Sequence, residues 1–192
     1  RTDSSAASDV YKRQLLMLGL EILIFAILSF FLLIIYPLMK RYFKMPQLIL
    51  GLAFGSSIPM VFIVETGNMD INCFLLYFLT VIWAIVYDTY YAMADKKDDE
   101  KIGVQSSAIF FGDNDIKISK YLHFLVITIF LVIGLLNNFN LFFYFCILVS
   151  CLCIIYQNLL VSNRIPYQCI SAFENNNIFG LIVTFGLIFN YL

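Results

Sequence analysis

The chain has 192 residues, 61% of them hydrophobic and 13% charged, with a net charge of −1. Soluble domains carry roughly a quarter charged residues, so this composition excludes an ordinary water-soluble fold. The near-neutral balance leaves no electrostatic footprint for nucleic acid, and no nucleic-acid partner is expected.

Residues 1–14 are polar and begin without methionine. They lack the apolar stretch and small-residue cleavage site of a signal peptide. They read as a non-native polar tail, a stray translated vector or adapter sequence, with a genuine external tail as the alternative.

Apolar runs follow. Residues 45–64, 71–87, 121–163 and 175–192 contain no Asp, Glu, Lys or Arg, and 14–39 contains only Glu21. A helix rises about 1.5 Å per residue, so crossing the hydrocarbon takes about 20 residues. The run 121–163 is about twice that length and breaks at Gly134 and Asn137-Asn138-Phe139-Asn140. Together these lengths predict an all-α polytopic transmembrane bundle of six helices, near 15–39, 46–65, 72–94, 117–136, 140–162 and 172–191. Residues 15–192 then form one transmembrane domain, without a soluble domain, repeat array or low-complexity linker.

Several residues along these helices have ordinary readings. Gly51 and Gly55 stand at the small-xxx-small spacing that lets helices pack closely. The five cysteines, Cys73, Cys146, Cys151, Cys153 and Cys169, lie in or beside apolar runs and read as small apolar filling. His123 has no Cys or second His at ligand spacing and reads as an interfacial residue. Glu21 faces a cavity or a neighbouring helix.

Cations set the orientation. Lys40, Arg41 and Lys44 follow the first helix; Lys96, Lys97, Lys101, Lys117 and Lys120 follow the third; Arg164 follows the fifth. Segments 65–71 and 134–140 and the C-terminus contain no Lys or Arg. That alternation is a positive-inside pattern, so an acid-rich loop at about 88–116 is expected on the cytoplasmic side.

Between Asp88 and Lys101, five acids and three lysines fall within fourteen residues. Carboxylates near hydrocarbon are costly unless paired or metal-bound. A hard divalent cation carrying phosphate oxygens answers several carboxylates at once, which points to magnesium-dependent chemistry on a lipid diphosphate. On a helix, Asp88 and Asp95 share a face about 10 Å apart. Asp95 and Asp99 share one about 6 Å apart if the helix continues that far. This spacing suits cations held on a diphosphate better than one ion chelated between the carboxylates. Asp98 and Glu100 point more to the side. By spacing alone, a charged segment that merely stops a helix, its acids paired by Lys96, Lys97 and Lys101, stays open. Asp88 weighs against that reading, because it sits among Trp83, Tyr87, Tyr90 and Tyr91 at the helix end and not past it.

The run YDTYYAMADKKDDEKIGVQSSAIFFG (87–112) closely resembles the second aspartate-rich motif of UbiA-type membrane prenyltransferases. YPLMKRYFKMPQLILGLAFGSSIPM (36–60), WAIVYD (83–88), Arg164 and AFENNNIFGL (172–181) stand in the corresponding order. The likeness covers about residues 15–192 and is strongest for members that use 4-hydroxybenzoate in ubiquinone biosynthesis. It implies that Asp95 and Asp99, with Asp98 adjacent, hold Mg2+ on a polyprenyl diphosphate, and that Asp88 heads the motif. It also implies that Tyr36 and Lys40, a YxxxK pair, meet the diphosphate, with Lys101 as a further contact. A cation and a phenolic donor one turn apart suit phosphate oxygens; a positive-inside anchor is the alternative for Lys40.

The implied reaction ionises an allylic diphosphate and joins the prenyl group to the ring carbon ortho to the hydroxyl of 4-hydroxybenzoate, in a dry aromatic-lined cavity. Asn175, Asn176 and Asn177 either orient the aromatic acid or cap the last helix, with capping preferred. The resemblance places the protein in the bacterial inner membrane with its site facing the cytoplasm.

The family has nine transmembrane helices and an earlier NDxxD-type motif, and nothing before Tyr36 matches that motif. The chain is therefore expected to correspond to the C-terminal two-thirds of such an enzyme and not to catalyse transfer alone. Alternatives are another acceptor (a naphthoate, a homogentisate or haem) or, from a different class, a small membrane transporter. A transporter calls for acids near mid-bilayer.

Overall fold

The computed structural model describes residues 19–190, so the polar tail at 1–14 lies outside the described residues. Within them the chain is helical throughout: α1 (Leu20–Tyr42), α2 (Pro46–Gly55), α3 (Ser57–Thr66), α4 (Ile71–Ile102), α5 (Ser107–Phe111), α6 (Asp115–Leu136), α7 (Leu141–Leu160) and α8 (Pro166–Ile188). Short 3-10 turns at Gly112–Asn114 and Val161–Asn163 lead into α6 and out of α7.

Among the described residues, five spans are long and apolar enough to cross a membrane: Leu20–Tyr42, Pro46–Thr66, Ile71–Ile102, Ser107–Leu136 and Leu141–Asn163. The all-α polytopic bundle is thus as predicted, with one difference. The sixth helix, α8, forms, but its first half carries Gln168, Glu174 and Asn175 to Asn177, which dilute its apolar character. It also starts at Pro166 and not near 172, because a proline at the first helical position has its φ preset for the helix.

Sequence chemistry accounts for the breaks. The second span divides at Ser56 because Pro59 has no N–H for the Gly55 carbonyl and its ring crowds that group. Asp70 caps α4 by accepting from the Cys73 amide (3.0 Å), and Asn140 caps α7 by accepting from the Phe143 amide (3.1 Å). Gly134 does not break the chain as its sequence position suggested; it lies inside α6. A Cβ there would come 2.7 Å from the Phe143 ring, so the glycine serves close packing.

Helix α4 is the hub, packing on α2, α6 and α8. Gly51 fits against Val81, where a Cβ would meet the Val81 carbonyl at 2.9 Å, and Gly55 fits against Tyr77. The predicted packing role of both glycines is what the structure shows. One buried cluster, including Leu79, Ile82, Val126, Phe130, Phe143 and Phe179, fills the middle of the bundle. A second, including Val86, Tyr90, Met93, Ala108, Val161 and Cys169, fills the end where the acids lie. His123 belongs to that second end. It is buried, not interfacial, and its ring packs 5.9 Å from Tyr90. The cysteines are all free thiols, and Cys73, Cys146 and Cys169 are fully buried, as filling requires.

Candidate active site

The segment expected as an acid-rich loop at 88–116 is mostly helix. Helix α4 runs without interruption to Ile102 and ends where Gly103 takes a left-handed conformation (φ 71°). The Val104 amide then donates back to the Asp99 carbonyl (2.9 Å). At about 100° per residue, Asp95 and Asp99 both fall within about 20° of the Asp88 direction, so one helix face carries all three carboxylates.

Helix α1 brings the opposing groups. Lys40 faces both Asp88 and Asp99, and Asp95 adjoins Asp99 and the Tyr91 hydroxyl. The Tyr36 hydroxyl, half-buried, lies among Asp88, Tyr87, Asp99 and Tyr91. The Lys40 ammonium stands 5.3 Å from the centre of the Tyr36 ring. The return loop is pinned here too, since the Gln105 amide donates to the Lys40 carbonyl (2.6 Å) and Ser106 lies within reach of Asp99. Among the described residues, none of Asp88, Asp95 and Asp99 is ion-paired. Asp88 and Asp99 therefore share the field of one lysine, with Asp95 beside Asp99.

Two expected site residues stand apart. Asp98 and Lys101 bind each other (2.8 Å) on the solvent side, with side chains 79% and 73% exposed. The cause is helical phase: Asp98 is rotated about 60° from Asp95, and a residue three further on meets it and not the acid face. The structure brings Tyr36, Lys40, Asp88, Asp95 and Asp99 together and leaves Asp98 and Lys101 outside.

Below the acids, towards the bundle interior, Trp83, Ala84 and Tyr87 of α4 line a largely apolar cavity of about 290 Å³ with Phe173, Asn176 and Asn177 of α8. Tyr87 and Tyr91 both pack on Phe173 (5.8 and 5.5 Å), and Trp83 packs on Phe179 (5.2 Å). The Trp83 indole N–H donates to Asn176 Oδ1 (2.9 Å). Asn176 in turn donates to the Ala172 and Phe173 carbonyls. The expected capping role for Asn175 to Asn177 is corrected. They lie inside α8, Asn175 accepts from Gln157 (3.0 Å), and Asn176 and Asn177 line the cavity.

The same end holds a structural ion pair that sequence spacing does not reveal. Asp115 is fully buried, and Arg164 donates to both of its oxygens (2.6, 3.1 and 3.2 Å). The Ile116 amide donates to it as well (2.7 Å), and the Lys96 ammonium stands 4.0 Å away. These hydrogen bonds hold the guanidinium above its usual pKa range. Gln47, 2% exposed, was also missed; its Oε1 accepts from the Ser107 amide (2.8 Å) and its amide lies beside Asp88.

Among the described residues, no three acid, imidazole or thiol groups converge closely enough to cage a metal ion. What the acid face offers is carboxylate oxygens on successive turns. That donor set fits a hard divalent cation whose remaining ligands are phosphate oxygens and water.

Comparison with known proteins agrees with this architecture. The sequence profile of the UbiA prenyltransferase family matches residues 11–183, starting inside the stretch set aside as foreign. The chain is 44% identical, over 157 residues, to a 4-hydroxybenzoate octaprenyltransferase of Enterobacter sp. (strain 638). It is 43% identical to the protein of that description from Escherichia coli O139:H28. Both alignments cover 82% of this chain and 54% of the relative, so the chain spans about half the length of the curated relatives it matches. In fold it is similar to the apo structure of a UbiA homologue from Aeropyrum pernix K1, with a TM-score of 0.79 at 19% identity, covering 98% of this chain and 70% of that one. A digeranylgeranylglyceryl phosphate synthase structure gives 0.71 at 19% identity, covering 91% and 63%.

Proposed function

We propose a reaction from one premise, that this chain belongs to the UbiA prenyltransferase family: its acid face takes a polyprenyl diphosphate and, together with the family's earlier acid motif, serves passage of the prenyl group to 4-hydroxybenzoate, as in ubiquinone synthesis. The observation that carries the reading is the placement of Asp88, Asp95, Asp99, Lys40 and Tyr36 directly above a cavity walled by Trp83, Tyr87 and Phe173.

Each part has a physical task. Lys40 and the Tyr36 hydroxyl donate to diphosphate oxygens, which gain charge as the allylic carbon–oxygen bond breaks and its electron pair leaves with the diphosphate. Asp95 and Asp99, with Asp88 behind them, would hold Mg2+, which would supply Lewis-acid neutralisation of that charge. Trp83, Tyr87 and Phe173 set aromatic rings in the cavity wall, the kind of surface that stabilises an allylic cation, and the largely apolar lining disfavours water beside it. The ring carbon ortho to the 4-hydroxybenzoate hydroxyl then forms the new carbon–carbon bond and loses its proton. Asn176 and Asn177 supply amide groups beside the rings for orienting the acceptor.

The cation pattern supports an inner-membrane protein with this site on the cytoplasmic side. The depth of the acids argues against the transporter reading. Glu21 lies in the first turn of α1, Asp95, Asp98, Asp99 and Glu100 lie in the last turns of α4, and Asp113 and Asp115 lie at the start of α6; Asp88 and Glu174 stand further in along α4 and α8.

The test is calorimetric titration of the purified chain in detergent with geranyl S-thiolodiphosphate, a non-ionising analogue, with and without magnesium. Saturable binding that needs magnesium is expected. Binding indifferent to magnesium, or no binding, overturns the reading.

A further inference from the structure

We propose that Gln47 is a positioning residue that aims the Asp88 carboxylate, one amide atom fixed on the Ser107 backbone and the other presented to Asp88. The proposal rests on the diphosphate-site reading above and adds a residue to it.

Gln47 follows Pro46 in the first turn of α2 and is almost fully buried. Its Oε1 accepts a 2.8 Å hydrogen bond from the Ser107 N–H, the first amide of α5, which has no partner within its own helix. That bond decides how the amide lies. Only the carbonyl oxygen can accept from an N–H, so the Nε2 hydrogens must point the other way. On that side lies Asp88. One side chain from α2 thus bonds the helix entered straight after the return loop and lies beside Asp88 of α4. Ser106, which caps that helix and reaches Asp99, is the neighbour of the residue Gln47 holds. Gln47 therefore sets the carboxylate's direction and the loop's position together. Lys40 attracts Asp88 but, as a flexible point charge, does not fix its rotation.

The substitution that separates the two halves is Gln47→Glu. It keeps an oxygen for the Ser107 amide and turns the group facing Asp88 from a donor into a second carboxylate oxygen. Binding of magnesium with geranyl S-thiolodiphosphate is measured for wild type, Gln47→Glu, Asp88→Asn and the double variant, with melting temperatures alongside. In the double variant the donor and acceptor are exchanged but the pair survives. We expect Gln47→Glu to melt below wild type, because it buries a second carboxylate beside Asp88, and to weaken binding about tenfold, with the melting temperature recovering and the binding effect shrinking to about twofold in the Asp88→Asn background, the non-additivity of groups in contact. Should Gln47→Glu not fold, Gln47→Asn carries the same test with the amide drawn back by one methylene. Wild-type affinity in the single variant, or an equal effect in both backgrounds, overturns the proposal. Wild type that fails to bind the analogue instead removes the diphosphate reading on which it rests.

Discussion

Two sets of carboxylates lie at the same end of this bundle and are treated in opposite ways. Asp115 is buried, and its charge is matched in full by a two-oxygen bond to Arg164, a backbone amide and a nearby lysine. The chain accepts a left-handed backbone at Arg164 (φ 51°), costly for a side chain of this kind, to make that match. Asp88 and Asp99 share the field of Lys40, Asp95 stands beside Asp99, and among the described residues none of the three has an ion-pair partner of its own. A completed charge network ties helices together, whereas an incomplete one holds charge in reserve for something that arrives.

That contrast can be broken at its stronger pole first. Asp115→Asn removes the buried half of the pair and leaves a partly exposed Arg164 guanidinium, and is expected to cost about 1.5–3 kcal/mol, read as a lowered melting temperature in detergent. A loss no larger than for a surface change would make the pair incidental. Next, Asp95→Ala and Asp99→Ala should each weaken magnesium-dependent binding of the thiolodiphosphate on the order of 100-fold while leaving the melting temperature unchanged or raised. A fall in stability with intact binding would reverse the assignment of the two sets. Gly51→Ala probes the scaffold beneath them. Its new Cβ meets the Val81 carbonyl, a backbone atom that cannot swing aside, so about 1–3 kcal/mol of stability should be lost in chemical denaturation. The smallest effect is expected for Lys101→Ala, since its partner Asp98 lies in solvent. Neither stability nor ligand affinity should move measurably, and a clear loss of affinity would return Lys101 to the site.

The parts of this arrangement that sequence could reveal are those set by local period. Run length gave the spanning helices, and a 3.6-residue turn put Asp88, Asp95 and Asp99 on one face once α4 proved continuous to Ile102. The same period could have set Asp98 aside, had the helix end been known. Long-range pairing was not readable. Gln47 meets Ser107 across 60 residues and Asp115 meets Arg164 across 49, and no spacing rule joins them. Asn175 to Asn177 misled for a related reason. Polar residues near an apolar run look like a cap until the true start, at Pro166, is seen.

Helix α4 is 32 residues long, about 48 Å, against a hydrocarbon slab of about 30 Å. Set upright, it outreaches that slab by about 18 Å, so a single rigid rod can join apolar and aqueous surroundings. A molecule with a greasy tail and a highly charged head could lie along such a rod without leaving either phase.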